Sequence, residues 1–231
     1  GRWVAFMMGP THVAAGVFAG AISAPVVGAS PAAQTVWIVL VAGGALLPDL
    51  DTRTSTIARA WGPVTQLLAG GVAALSGGHR WATHDLILGP LVIYVMASVA
   101  VAAQAGRGVV VAVSIGLILA AVGSIGLGRI GAVGNLALST AGGVWASAQL
   151  SSAAAGALPA ALALGALVHI VCDGFTSGGV PVPLMWLLRR RRVAVPVVRT
   201  GGVLEVAIVA PLLTIGSVWM TLRHTAIGAL V

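Results

Sequence analysis

The sequence predicts an all-α polytopic membrane protein, a transmembrane helical bundle of about seven spans with a metal centre at its cytoplasmic face. Three observations predict it. The chain of 231 residues is 58% apolar and 7% charged, with mean hydropathy +1.05, whereas water-soluble domains carry about 25% charged residues. Its apolar runs are long and unbroken, unlike the alternating strands of an outer-membrane barrel. Its few ionisable residues gather at the ends of those runs, away from the bilayer interior where a charge is costly.

Seven apolar segments follow in order, at 12–28, 35–50, 86–104, 109–127, 132–150, 157–173 and 203–222. A span needs roughly 17–25 residues, so the first two are short enough to tilt or lie partly at the interface. The first carries Thr11-His12 and no charged region before it, so no cleaved signal peptide is expected. The second closes on Leu47-Pro48-Asp49-Leu50-Asp51, whose two carboxylates at i, i+2 would point the same way in an extended loop. Pro63 to Ser76 is apolar but short, which predicts a re-entrant or interfacial helix.

The third segment opens after His79-Arg80-Trp81-Ala82-Thr83-His84-Asp85, the densest polar stretch in the chain. Gly77-Gly78 lets the chain bend into it, and Thr83 is the expected N-cap. The fourth and fifth segments and the turn between them hold Gly116, Gly123, Gly126, Gly128, Gly131 and Gly134, small residues that let helices pack closely in lipid. This Gly-rich hairpin, 109–150, reads as scaffold within one integral-membrane domain, 1–231. The sixth ends on His169-x-x-x-Asp173, a spacing that puts both side chains on one helix face. The seventh opens on Thr200-Gly201-Gly202 and Glu205. The single Cys172 excludes an internal disulfide and reads as packing.

The net charge of +7 comes from twelve arginines and no lysine, which reads as a topology signal rather than nucleic-acid binding. With the N-terminus in the cytoplasm, Arg2, Arg53, Arg59, Arg80, Arg129, Arg189, Arg190, Arg191, Arg192 and Arg199 fall inside, and Arg107 and Arg223 outside. The same parity puts every carboxylate and four of the five histidines on the cytoplasmic face, leaving only His224 opposite. The run Arg189 to Arg192 fixes orientation and meets anionic lipid heads.

His12, Asp49, Asp51, His79, His84, Asp85, His169, Asp173 and Glu205 are therefore candidate ligands at one depth, with no lysine to neutralise the acids. Histidine and carboxylate suit zinc, and mixed N/O sites also suit manganese or iron. Nine groups suffice for two ions and their supporting shell, and paired ions suit phosphoester displacement.

Several of these stretches together resemble the YdjM-like, inner-membrane-bound metal-dependent hydrolases. The matching pieces are Thr-His-Val-Ala-Ala-Gly (11–16), Leu-Leu-Pro-Asp-Leu-Asp (46–51) with Ser55, Gly-His-Arg-x-x-Thr-His (78–84), and Leu-Val-His-Ile-Val-Cys-Asp-Gly-Phe-Thr-Ser-Gly-Gly-Val-Pro (167–181). A basic stretch and Glu205 follow in the same order. The resemblance implies a hydrolase with several metal ions held by His12, Asp49, Asp51, His79, His84, His169, Asp173 and Glu205. It also implies a distant likeness to zinc-dependent phospholipase C and single-strand nucleases. Two departures stand out: Asp85 where the family often has Ser, and Thr52-Arg53 where it often has His-Pro.

The expectation is a multi-pass inner-membrane enzyme, its site facing the cytoplasm, that cleaves a phosphoester of a lipid or lipid-linked substrate with metal-activated water. Asp51 or Asp85 would act as general base, and Arg80 would bind phosphate. A metal-ion or proton-coupled transporter is the alternative, and it calls for ionisable groups near the midplane. A non-catalytic scaffold with a structural metal is the other, and one closed four-coordinate site would suffice for it.

Overall fold

A computed structural model describes residues 8–124, 130–185, 191–199 and 201–230. Gly126, Gly128, Arg2, Arg129, Arg189, Arg190 and Thr200 lie outside the described residues. Each of the seven apolar segments contains a helix, and the short stretch after Trp61 supplies an eighth among the described residues. They are α1 (Met8–Ser23), α2 (Pro31–Gly44), α3 (Pro63–Leu75), α4 (Leu88–Ala102), α5 (Gln104–Gly123), α6 (Gly131–Gln149), α7 (Ser152–Gly174) and α8 (Ala210–His224). A π-turn, Glu205–Val209, leads into α8. A small sheet pairs β1 (Val180–Pro181) with β2 (Arg192–Val193) in antiparallel register. Ser30 and Ser151 cap α2 and α7 by accepting from the backbone amides of Ala33 and Ala154.

Among the described residues, five helices are long and apolar enough to cross a membrane: Gly9–Val27, Pro31–Asp51, Ala105–Gly123, Ala153–Gly174 and Glu205–His224. The helices Pro63–Leu75 and Leu88–Ala102 are apolar but shorter.

The second span is 72% buried and the last 11%, so α2 forms the axis and α8 faces outward. Lipid tails are as apolar as the side chains, so close helix approach has to come from small residues. Gly16 and Gly20 of α1 lie against the α2 backbone at Ala42 and Ile38, Gly43 against Ser114 of α5, and Gly44 against Leu162 of α7. Gly165 of α7 answers on the backbone of Val41 and Ala45. These seams bring the start of α1, the end of α2 and the end of α7 to one level.

The Gly-rich hairpin is anchored to the rest by Asn135. Its amide donates to the Gly116 carbonyl at 2.9 Å and accepts from the Trp61 indole at 3.2 Å. α5 also reaches the polar end of the bundle, where Ala121 and Ser124 line a cavity. The hairpin thus does more than brace.

Candidate metal centre

His169 is the first fixed point. Its Nδ1 lies 2.8 Å from the Ala45 carbonyl. A carbonyl only accepts, so Nδ1 carries the hydrogen and Nε2 presents a lone pair. That Nε2 faces His84 Nε2 at 3.1 Å. On its other side, His84 Nδ1 lies 3.3 Å from Asp51 Oδ2. Asp49 Oδ1 is 3.7 Å from both Nε2 atoms. Asp173 Oδ2 stands 3.4 Å from His84 Nε2 and 3.7 Å from His169 Nε2. Lone pairs and carboxylates converging in this way need a positive charge between them.

His12 completes the cluster. Its ring stacks on His169 with centroids 3.8 Å apart, and its Nε2 is 3.6 Å from Asp173 Oδ1. Both ring nitrogens of His12 and both carboxylate oxygens of Asp173 are buried without a hydrogen bond. Arg80 Nη2 does approach Asp173 Oδ2 to 3.0 Å as an ion pair, but not along a hydrogen-bond direction. Each buried polar atom left unpaired costs about 1–3 kcal/mol, which a bound cation would remove.

The donors fit such a cation. Three overlapping groups, His12/His169/Asp173, Asp49/His84/His169 and Asp51/His79/His84, each have ligand atoms within 4.8 Å of one another. Nitrogen and oxygen ligands about 2.0–2.2 Å from a tetrahedral ion stand about 3.3–3.6 Å apart, close to the separations around His84 and His169. Manganese and iron use the same donor types, so the geometry does not select zinc.

Asp49 and Asp51 do not point the same way, contrary to the expectation from an extended loop. Pro48 starts a single 3₁₀ turn, Leu47–Asp51, and at three residues per turn positions i and i+2 diverge. Asp49 faces the histidine pair. Asp51 faces the loop before α4, where it accepts from Arg80 N at 2.9 Å and Thr83 Oγ1 at 2.6 Å and pairs with His79 Nδ1 at 2.7 Å. With both oxygens engaged, Asp51 orients His84 and His79 more readily than it takes a proton from water. His79 is 47% exposed at its side chain, at the outer edge of the cluster.

Asp85 and Glu205 have other work. Asp85 Oδ1 accepts from the amides of Ile87 and Leu88, both at 2.9 Å, and Oδ2 accepts from Leu184 N at 2.7 Å. Asp85, rather than Thr83, is therefore the side chain that caps α4, and it pins the 184 loop. Glu205 Oε1 accepts from Thr11 Oγ1 at 2.8 Å and Oε2 from Gly201 N at 2.7 Å, tying the start of the last span beside His12. Neither belongs to the three ligand groups among the described residues. Asp85→Ala is expected to lower stability by about 1–2 kcal/mol, the scale of a lost cap, with bound metal unchanged. Thermal unfolding and metal analysis of the variant check this.

Arg80 sits where the sequence places it. Its φ of +62° is uncommon for a side-chain-bearing residue, and that turn aims its amide at Asp51. Its guanidinium reaches Thr176 Oγ1 at 3.3 Å as well as Asp173. Arg192, from the basic run, donates to the His79 carbonyl at 3.0 Å and stacks over Trp81 at 4.6 Å. Burial and the nearby Arg80 charge lower its pKa. Arg192 therefore holds the His79 loop in addition to any contact with lipid heads.

The cluster floors an open cavity of about 190 Å³ lined by His12, Asp49, His79, Arg80 and Asp173, with Thr52, Thr54, Ser55 and Thr56 as a hydroxyl wall. Sequence reasoning gave no role to Thr52, Thr54, Thr11 or Thr176, and read Thr83 only as a helix cap and Ser55 only as a motif position. Several of these lie inside the quoted motifs, and that position was the available signal.

His84 lies outside the spans. Burial disfavours its charge, yet the carboxylates of Asp173, Asp49 and Asp51 outweigh this and push it up to about 10. Without a cation, a proton holds the lone pairs together. Because the folded value lies above the ordinary 6.5, this stabilisation is complete below pH 6.5 and is lost as pH rises through about 10. A bound metal would replace that proton, so binding at pH 8 is expected to release about one proton from His84 and to tighten as pH rises. Calorimetry in buffers of different ionisation enthalpy reads the release.

A family model described as YdjM inner membrane protein matches residues 7–231. No curated protein and no solved structure matches the chain. The matched region holds all the ligand groups and the Gly-rich hairpin, and that breadth decides the assignment: the chain belongs to the YdjM inner membrane protein family.

Proposed function

We propose that the protein is a metal-dependent hydrolase of the inner membrane that cleaves a phosphoester of a lipid or lipid-linked substrate. One observation carries the reading: three linked ligand groups form the floor of an open cavity that also presents Arg80. A purely structural metal site would be closed. A transporter would hold its ionisable groups near the midplane with a polar path onward, whereas this cluster lies where α1 begins and α2 and α7 end.

Divalent ions held by these residues would supply Lewis acidity and a nucleophilic water near neutral pH. The chain's own groups do the rest. Arg80, anchored by Thr176, presents its guanidinium to the phosphoryl oxygens, whose charge a planar fork matches. The hydroxyls of Thr54, Ser55 and Thr56 orient the polar head by hydrogen bonding, while Thr52 Oγ1 donates to Asp51 Oδ1 at 3.1 Å. Asp49, 22% exposed at its side chain in the cavity, takes the proton from water, since the oxygens of Asp51 and Asp85 are already engaged.

The test is metal analysis of the purified protein, then a panel of phosphomonoesters and phospholipids before and after chelation, with zinc, manganese or iron restored singly. Turnover that disappears on chelation and returns with one ion is the expected result. Protein free of metal, or turnover indifferent to chelator, would refute the proposal.

A further inference from the structure

A second, apolar groove of about 440 Å³ lies beside the metal cavity. Val13, Ala14 and Val17 of α1, Val122 of α5, and Val218 and Leu222 of α8 line it. The two hollows flank the same helix seam. Gly9 and Ala121 line the polar cavity, while their chain neighbours Pro10 and Val122 line the groove. Both helices are small where they meet: a methyl built on Gly9 would stand 3.5 Å from Ala121 Cβ.

Two of the three hydroxyls that line the groove, those of Thr214 and Ser217, are turned onto backbone carbonyls. Thr214 Oγ1 donates to the Ala210 carbonyl at 2.8 Å, and Ser217 Oγ to the carbonyls of Ala14 at 2.9 Å and Leu213 at 2.7 Å. Residues of three helices long and apolar enough to cross a membrane line the groove, so its expected surroundings are hydrocarbon. From Thr214 to Leu222 it follows α8 for about 12 Å at 1.5 Å per residue, less than half of the ~30 Å bilayer core. Such a groove takes one end of a hydrocarbon chain and leaves the other in the lipid.

We infer that the α1–α5–α8 groove seats a hydrocarbon chain of a lipid whose phosphate-bearing head lies in the hydroxyl-walled cavity. Acyl and isoprenyl chains share this chemistry. The inference rests on the hydrolase reading only for the fate of the head. Seating the chain converts a lipid diffusing in the membrane into one whose head is held at the ligand cluster.

The test uses the whole protein in phosphatidylcholine nanodiscs holding phosphatidic acid with a photoreactive diazirine in one chain. After irradiation, labelled peptides are mapped by mass spectrometry. Label on 10–17 and 214–222 should exceed that on 91–99 of α4, which is also apolar and exposed, by about fivefold or more, the scale of a modest binding preference. Val218→Trp fills the groove and should remove the excess, while Val95→Trp on α4 should not. Retained metal shows that Val218→Trp is folded. An isoprenyl phosphate bearing the same photoreactive group tells the two chain types apart by which labels more. Label spread evenly over the lipid-facing helices, or an excess untouched by Val218→Trp, overturns the inference. Enriched label without turnover of any phosphoester would leave the groove standing and remove the hydrolase. Turnover with even label would do the reverse.

Discussion

Replacing His169 with alanine is expected to strip the protein of more metal than any other single substitution in the cluster outside His84. His169 belongs to two of the three ligand groups, and His79 to only one. It is also fully buried, and the Ala45 carbonyl fixes its ring where those two groups meet. Loss of a mere supporting partner lowers metal affinity or activity about 10–100-fold; loss of a ligand shared by two sites should cost about 1,000-fold or more in turnover. His79→Ala, at the exposed edge, should keep the His12/His169/Asp173 group and most of the bound metal. Elemental analysis per folded chain separates the two variants. Equal metal content in both would refute the shared-ligand geometry, and wild-type content in His169→Ala would refute the centre itself.

Gly165→Ala is expected to damage both the helix bundle and the metal centre. A Cβ there would overlap the Val41 carbonyl and lie 2.7 Å from the Ala45 amide nitrogen. Backbone has no rotamer with which to yield, so α7 must move away from α2. Overpacking of this kind costs about 1–3 kcal/mol, and more where nothing can relax. The damage reaches the metal centre, because His169 lies one turn further along α7 and is held by the carbonyl of the same Ala45. Lower thermal stability and loss of metal should therefore appear together. Gly156→Ala is the control. Its Cβ would meet nothing within 4 Å, and an alanine there should raise stability by about 0.5–1 kcal/mol, as in any exposed helix interior. If both variants unfold alike, the glycine seam is not what sets the position of His169.

The long apolar runs made the helices legible, because hydrocarbon leaves a backbone no better way to satisfy its own hydrogen bonds. The membrane location and the family were legible for a related reason: the motif residues stand in order at the ends of those runs. His12, Asp49, His84, His169 and Asp173 could be named from the sequence because ionisable groups are rare there and conspicuous. Their partners were not legible. Asp49 and Asp51 separate because Pro48 starts a 3₁₀ turn. Asp85 and Glu205 have the same chemistry as the ligands, and only their backbone neighbours distinguish them.

The sequence alone thus determined the helical class, the membrane setting and the set of residues able to bind a cation. Tertiary structure decided which of them meet: Asp51 with His79 across 28 positions, His84 with His169 across 85, and Thr11 with Glu205 across 194. It also decided that the glycines which matter most lie on α1, α2 and α7 as well as in the conspicuous hairpin. The reason is physical. Burial in lipid depends on the local run of side chains, whereas coordination depends on how closely distant backbones can approach.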